Sequence, residues 1–228
     1  MRNSLIIIKK QIRDTFKNKT VLIQFILFPV MTLIMENAIN IDGMPELFFT
    51  KLFSVMYIGM APLTSVASII SEEKEKNTLR VLTMANVKPW EYLLGIGLYV
   101  WFICMIGAGV IATGIDKEDV PCYMLIMAIG FVISILAGAC IGIFAKNQMA
   151  ATSTVMPAMI VFAFAPMLAM FNESIEKVAR FFYTQQLKCI LDDMTFRTLK
   201  ADNIWILVIN SALMVILFFI AFKKKGLE

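Results

Sequence analysis

Histidine is absent from all 228 residues of this chain, which at once removes His-dependent nucleophilic triads, His-ligated metal centres and the helix-borne HExxH zinc site. No GxxxxGK[ST] stretch occurs either, so the loop that cradles nucleotide phosphates with backbone amides and a lysine is missing. Charge is scarce: Asp, Glu, Lys and Arg make up 17% of the residues, against about 25% in soluble domains. Inside the apolar stretches it nearly vanishes, and with it the midplane carboxylates that ion-driven pumps usually carry. The four cysteines, Cys104, Cys122, Cys140 and Cys189, show no paired spacing. They read as small apolar packers, with Cys122 and Cys189 as the one pair placed to bridge. No small-residue cleavage site follows the first apolar run, so the sequence reads as one without a removable leader.

What is present is apolar. Hydrophobic residues make up 59% and mean hydropathy is +0.78, so the solvent for most of the chain is lipid. A spanning helix needs about 20 mostly apolar residues, and six windows meet that need: residues 21–39, 52–70, 93–113, 122–144, 152–171 and 204–222. The expected fold is an all-α polytopic membrane protein forming one transmembrane domain over residues 1–228.

Orientation follows from the cations, which favour cytoplasmic flanks. With the N-terminus inside, 14 of the 21 Lys and Arg residues fall on the cytoplasmic side, including the terminal Lys223-Lys224-Lys225. Both termini are then cytoplasmic. The formal charge of +4 sits at membrane borders, which points to anionic lipid and not to nucleic acid.

Residues 1–19 carry Leu5, Ile8, Ile12 and Phe16 at three- and four-residue steps, with Lys9, Arg13 and Lys17 on another face. This pattern predicts an amphipathic interfacial helix. Pro29, Pro62, Pro157 and Pro166 interrupt the first, second and fifth spans, where each removes a backbone donor and tends to kink its helix. Gly130, Ser134, Gly138 and Gly142 form a line of small side chains along the fourth span, a seam for close helix packing within the chain or between copies. The polar residues available to a transport path are Gln24, Glu36 and Asn210, with Glu36 near the outer end of its span.

Between the second and third spans lies a charged interruption over residues 72–91, EEKEKNTLRVLTMANVKPWE. Its early carboxylates suit a helix N-terminus, and Leu79, Val81 and Leu82 form an apolar edge that needs burial. The run from Glu73 to Leu79, followed by Val87-Lys88-Pro89-Trp90-Glu91 and Leu93-Leu94-Gly95, resembles ABC-2-type transporter permeases. In these an acidic-basic run precedes a proline-bearing turn into the third span. The sequence departs from that pattern at Asn77, where glycine is common, at Arg80, where an acid is common, and at Asn86, where proline is common.

The resemblance covers the whole layout, including an external segment over residues 172–203 in which Ile175, Val178, Ala179 and Phe182 fit one helical face. It implies a multi-pass permease subunit of a bacterial exporter, paired with a second permease copy or a related permease and with two ATP-binding subunits. Those partners would bind ATP and Mg; this chain would hold no cofactor, metal or catalytic residue. It also implies that residues 72–91 are a coupling helix, with Glu73, Glu75, Thr78, Leu79 and Leu82 meeting the ATPase. Walls rich in Met and Phe suit a hydrophobic drug or amphipathic peptide. The alternatives are a stand-alone ion-coupled carrier or channel and, less well supported, an intramembrane enzyme.

Overall fold

A computed structural model of the chain describes residues 2–17, 19–39, 43–84, 87–194 and 201–225. Every regular element among them is helical: α1 Arg2–Lys17, α2 Lys19–Ala38, α3 Phe48–Glu75, α4 Thr78–Met84, α5 Pro89–Ile111, a short 3-10 turn Ala112–Gly114, α6 Val120–Phe144, α7 Gln148–Met159, a π-helical segment Ile160–Phe164, α8 Ala165–Leu168, α9 Glu173–Ala179, α10 Tyr183–Asp193 and α11 Ala201–Lys225. Five helices are long and apolar enough to cross a membrane: α3, α5, α6, the continuous Gln148–Leu168 helix and α11. The first expected span falls on α2, a 20-residue helix that is not among the five. Among the residues whose side chains are described, its apolar helix is Leu22–Ala38.

Local chemistry sets the helix ends. Pro89 opens α5, where its missing N–H is no loss, and the Glu91 carboxylate accepts the Lys88 N–H. Asn147 and Asn172 cap α7 and α9, each side chain accepting a first-turn N–H at 2.8 and 2.9 Å. The bend in the fifth span also has a local cause. Pro166 offers no N–H to the turn before it, and the helix widens to π geometry just ahead of it.

The axis of the bundle is α3. Some 83% of its apolar window lies inside the protein, against 11% for α11. Its closest neighbour is α6, and the line of small residues is the seam between them. A Cβ at Gly138 would sit 2.4 Å from the Leu63 carbonyl oxygen, one at Gly130 would sit 2.8 Å from Ile58, and one at Gly142 would sit 2.8 Å from Ile70. Ser134 in the same line donates to the Ile58 carbonyl at 2.6 Å and pairs with the Tyr183 hydroxyl at 2.7 Å. The stripe thus packs within the chain.

Three expectations change. The carboxylates of the charged interruption do not open a helix, since α3 continues through Glu75 and takes residues 72–75 as its last turn, leaving α4 as a separate short helix. The N-terminal segment is helical, but the face of α1 that is buried carries Ser4, Ile7 and Gln11, while Ile8 is half-buried and Ile12 is exposed; the Leu5 and Phe16 side chains lie outside the described residues. The face expected over residues 175–182 is broken by a turn. Ala179 closes α9, Phe182 precedes α10, and α10 folds back so that Tyr183, Leu187 and Leu191 are buried in the bundle. Asn86 and the end of the external segment, residues 195–200, fall outside the described residues.

The seam gives a direct test. Gly138→Ala should lower the melting temperature of the detergent-purified protein, since a methyl forced against backbone costs about 1–3 kcal/mol or more. Gly109, where an added Cβ would meet nothing within 4 Å, should accept alanine without loss. Equal melting temperatures for the two variants would show that the seam is looser than this geometry.

Candidate functional site

The charged run at the end of α3 forms a junction. Its successive side chains radiate from one helical turn and each secures a different element. The Glu73 carboxylate, with the residue only 7% exposed, accepts hydrogen bonds from Lys10 at 2.7 Å and Gln11 at 2.6 Å. This ties α1 to α3. The Lys74 ammonium donates to the Ile143 carbonyl at 2.6 Å, placing a cation on the negative end of α6. Glu75 accepts the Gln148 backbone N–H at 2.9 Å, placing a carboxylate on the positive end of α7.

The turn leaving the junction is set by Asn77, whose φ of 55° is left-handed. Glycine adopts that conformation most easily, and asparagine is among the few other residues that tolerate it. Thr78 then donates to the Glu73 carbonyl at 3.0 Å, so the first turn of α4 hangs from the last turn of α3. Leu79 is buried at 3% exposure, and Leu82 packs half-buried against the core. Tyr92 of α5 is buried beside the Glu73 carboxylate, and Ser4 of α1 donates to the Glu91 carbonyl at 3.1 Å.

These placements sort the residues expected to meet another subunit. Glu73, Thr78 and Leu79 are engaged within the chain, Leu82 partly so, and Glu75 is exposed while it caps α7. The outward apolar side chains of α4 are Val81, 64% exposed, and Met84, 77% exposed. Sequence pattern marked Val81 as part of the apolar edge but not Met84. It also missed Lys10, Gln11, Lys74 and Gln148, whose roles depend on which helix end each meets.

A second feature lies between α2, α3 and α7, where a cavity of ≈ 300 Å³ is lined by Gln24, Met60, Thr64, Ser68, Gln148 and Met156 among others. Gln24 accepts hydrogen bonds from Thr64 at 3.0 Å and Ser65 at 3.3 Å. Gln148 donates to Ser68 at 3.3 Å, so the residue that starts α7 belongs both to the cavity and to the junction. The other two polar candidates lie elsewhere. Glu36 accepts the N–H and hydroxyl of Thr50 at 2.7 and 3.0 Å, capping the start of α3. Asn210 donates to the Phe181 carbonyl at 2.9 Å and holds the turn before α10.

Thr152, Ser153 and Thr154 each donate to the carbonyl four residues earlier, so the exposed face of α7 satisfies its own hydroxyls. The four cysteines are free thiols, and burial pushes the Cys189 thiol above its ordinary range. Among the described residues no group of His, Cys, Asp or Glu is arranged to hold a metal ion.

Two substitutions test the junction. Glu73→Ala should cost about 2 kcal/mol, the scale of a hydrogen bond to a charged group, read as a lower melting temperature. The swap Lys10→Glu with Glu73→Lys should recover part of the loss from either single change in a double-mutant cycle; additive losses would deny the pairing. Asn77→Gly should be tolerated, whereas Asn77→Val should be destabilised by about 1–2 kcal/mol at its left-handed φ.

A family model described as ABC-2 family transporter protein matches residues 3–223. The chain belongs to that family. It is therefore a multi-pass membrane permease component of an ABC transporter, a type of component that is generally not itself catalytic and that associates with an ABC ATP-binding subunit. No curated protein matches the chain closely enough to serve as a relative.

Proposed function

We propose that this ABC-2 family member is the membrane half of an ATP-driven exporter. In this reading α2, α3, α5, α6, the Gln148–Leu168 helix and α11 cross the bilayer, α1 lies at the inner surface, and both termini and α4 are cytoplasmic. Two ATP-binding subunits, which hold ATP and Mg, serve a pair of permeases formed by two copies of this chain or by this chain and a related one. The observation that carries the reading is the junction. One helical turn grips α1, the end of α6 and the start of α7, and beside it α4 presents an apolar pair to the outside. A partner pressing on α4 would move all three elements together.

Val81 and Met84 are the docking pair in this mechanism, with Glu75 and Leu82 at its edge. Glu73, Thr78 and Leu79 position α4 on the body of the permease. The substrate would pass along the cavity between α2, α3 and α7, whose exposed α7 wall a second permease would complete. The cavity lining includes Met60, Met156 and Met159, and adaptable methionines suit a hydrophobic or amphipathic cargo such as a drug or peptide.

Val81→Asp together with Met84→Asp should abolish co-purification of the ATP-binding subunit and reduce transport at least tenfold. Both side chains are exposed, so folding and membrane insertion should be unchanged. Full transport by this variant would overturn the docking role. Gln24→Leu should leave subunit assembly intact and alter which substrates are exported; an unaltered substrate range would remove the cavity from the path.

A further inference from the structure

A larger cavity, ≈ 530 Å³, opens on the outer surface of the bundle between α3, α5, α6 and α11. It lies away from the α2/α3/α7 cavity and has no part in the junction. Its walls are apolar throughout. Trp90, Leu94 and Trp101 come from α5, Ala139 from α6, and Phe218 and Phe222 from α11. The one strong polar group on this wall that the structure pairs, the Trp101 indole N–H, is turned inwards to the Ala128 carbonyl at 3.2 Å.

The two ends of the groove differ. Trp90 stands in the first turn of α5 and Phe222 in the last turns of α11, so the groove opens at the end of the bundle that carries α4. From Trp90 to Trp101 along α5 is eleven residues, about 16 Å at 1.5 Å each, close to half of an about 30 Å hydrocarbon core. At the open end the chain is cationic. Lys88 is the residue before α5 and is exposed. Lys223, also exposed, lies one helical turn beyond Phe219, which lines the groove, and a helical Cβ leans back towards that preceding turn. Neither lysine has an ion-pair partner among the described residues.

An apolar trough one leaflet deep, with cations at its mouth, is complementary in length and charge to an acyl chain that carries an anionic headgroup. We infer that this groove is a binding site for one anionic phospholipid, its acyl chain between the two tryptophans and the phenylalanines of α11, and its phosphate on Lys88 and Lys223. The site rests on the reading that puts α4 and the chain termini in the cytoplasm, because that leaflet concentrates anionic lipid. The bound chain fills the space between α11 and the rest of the bundle, against which α11 is little buried, and so holds α11 to α5 and α6.

The groove supplies its own reporters, since two of the three tryptophans in the chain line it and the third, Trp205, does not. In a Trp205→Phe background the whole chain would be placed in nanodiscs of phosphatidylcholine doped with chain-brominated phosphatidylglycerol or chain-brominated phosphatidylcholine. Brominated phosphatidylglycerol should quench at mole fractions at least threefold lower than brominated phosphatidylcholine. Native mass spectrometry should retain one phosphatidylglycerol per chain. Lys88→Glu with Lys223→Glu should erase the preference. Gly97→Phe should erase it by another route, filling the groove from a position whose added Cβ would meet nothing closer than Ile135 at 3.4 Å.

Equal quenching by the two lipids, or a preference untouched by the lysine reversals, would overturn the site and leave only the unselective lipid shell. Nanodiscs carry the same lipid in both leaflets, so this result does not depend on which side of the cell α4 faces. Failure of that orientation would appear separately, as outside labelling of a cysteine placed at Met84 in intact cells.

Discussion

The arrangement depends on the burial of one carboxylate. Glu73 sits at the meeting point of α1, α3, α4 and α5, and a buried carboxylate is stable only when its charge is met by donors. Lys10 and Gln11 supply them from α1. That requirement forces α1 to lie along α5 and not trail from the bundle, with Ser4 bonded to the backbone at Glu91. It also explains why residues 72–75 are helical: only as the last turn of α3 can their side chains reach three separate elements at once. The low worth of surface ion pairs does not apply to Glu73, whereas it does apply to the exposed Lys76 and Glu72 pair on the same turn.

From that junction the bundle divides into a fixed part and a less enclosed part. The α3–α6 pair approaches to backbone contact at Gly138, where an added Cβ would meet the Leu63 carbonyl, while Gly130 and Gly142 leave room for the branched Ile58 and Ile70 side chains, whose interlocking resists sliding. The Gln148–Leu168 helix is held differently. It is fastened at its start by Glu75, and at its π-helical bend by Gly59, where a Cβ would lie 2.6 Å from the Phe162 carbonyl oxygen. Only 22% of its apolar window is buried. A helix pinned at two points and open along one face can tilt about those points at smaller cost than α3 or α6 can move.

The sequence made the long spans, the charged run and the small-residue stripe legible because each is a local pattern: an apolar run near 20 residues, a break in it, and a four-residue repeat. What it hid was the partner of each polar side chain. Glu36 reads in sequence as a carboxylate near the outer end of its span, free to reach the interface, yet it caps the start of α3 across a turn. Lys10 reads in sequence as one more cytoplasmic-flank cation, yet it is half of the Glu73 pair. The departure at Asn77 is visible in sequence, and its meaning lies in the φ of 55°, which glycine and asparagine share. The face expected over residues 175–182 failed because helical periodicity carries no sign of the turn at Arg180 and Phe181 that ends α9.

The use of polar groups also bears on what the cavity between α2, α3 and α7 can accept. Glu36 and Asn210 are spent on a helix start and a turn, and the hydroxyls of Thr152, Ser153 and Thr154 are bonded along their own helix. Gln24 is left in the cavity with Thr64, Ser68 and Gln148; Thr64 donates to Gln24 and Gln148 donates to Ser68. Among the described residues no carboxylate or ammonium lines this cavity, so a bare ion entering it would lose its hydration with no full charge to replace it, at a cost of several kcal/mol. A largely apolar molecule with one hydrogen-bonding group would lose far less, and it could exchange its water for the Gln24 amide without leaving a charge unmet. If substrate passes here as proposed, this lining favours amphipathic cargo over ions.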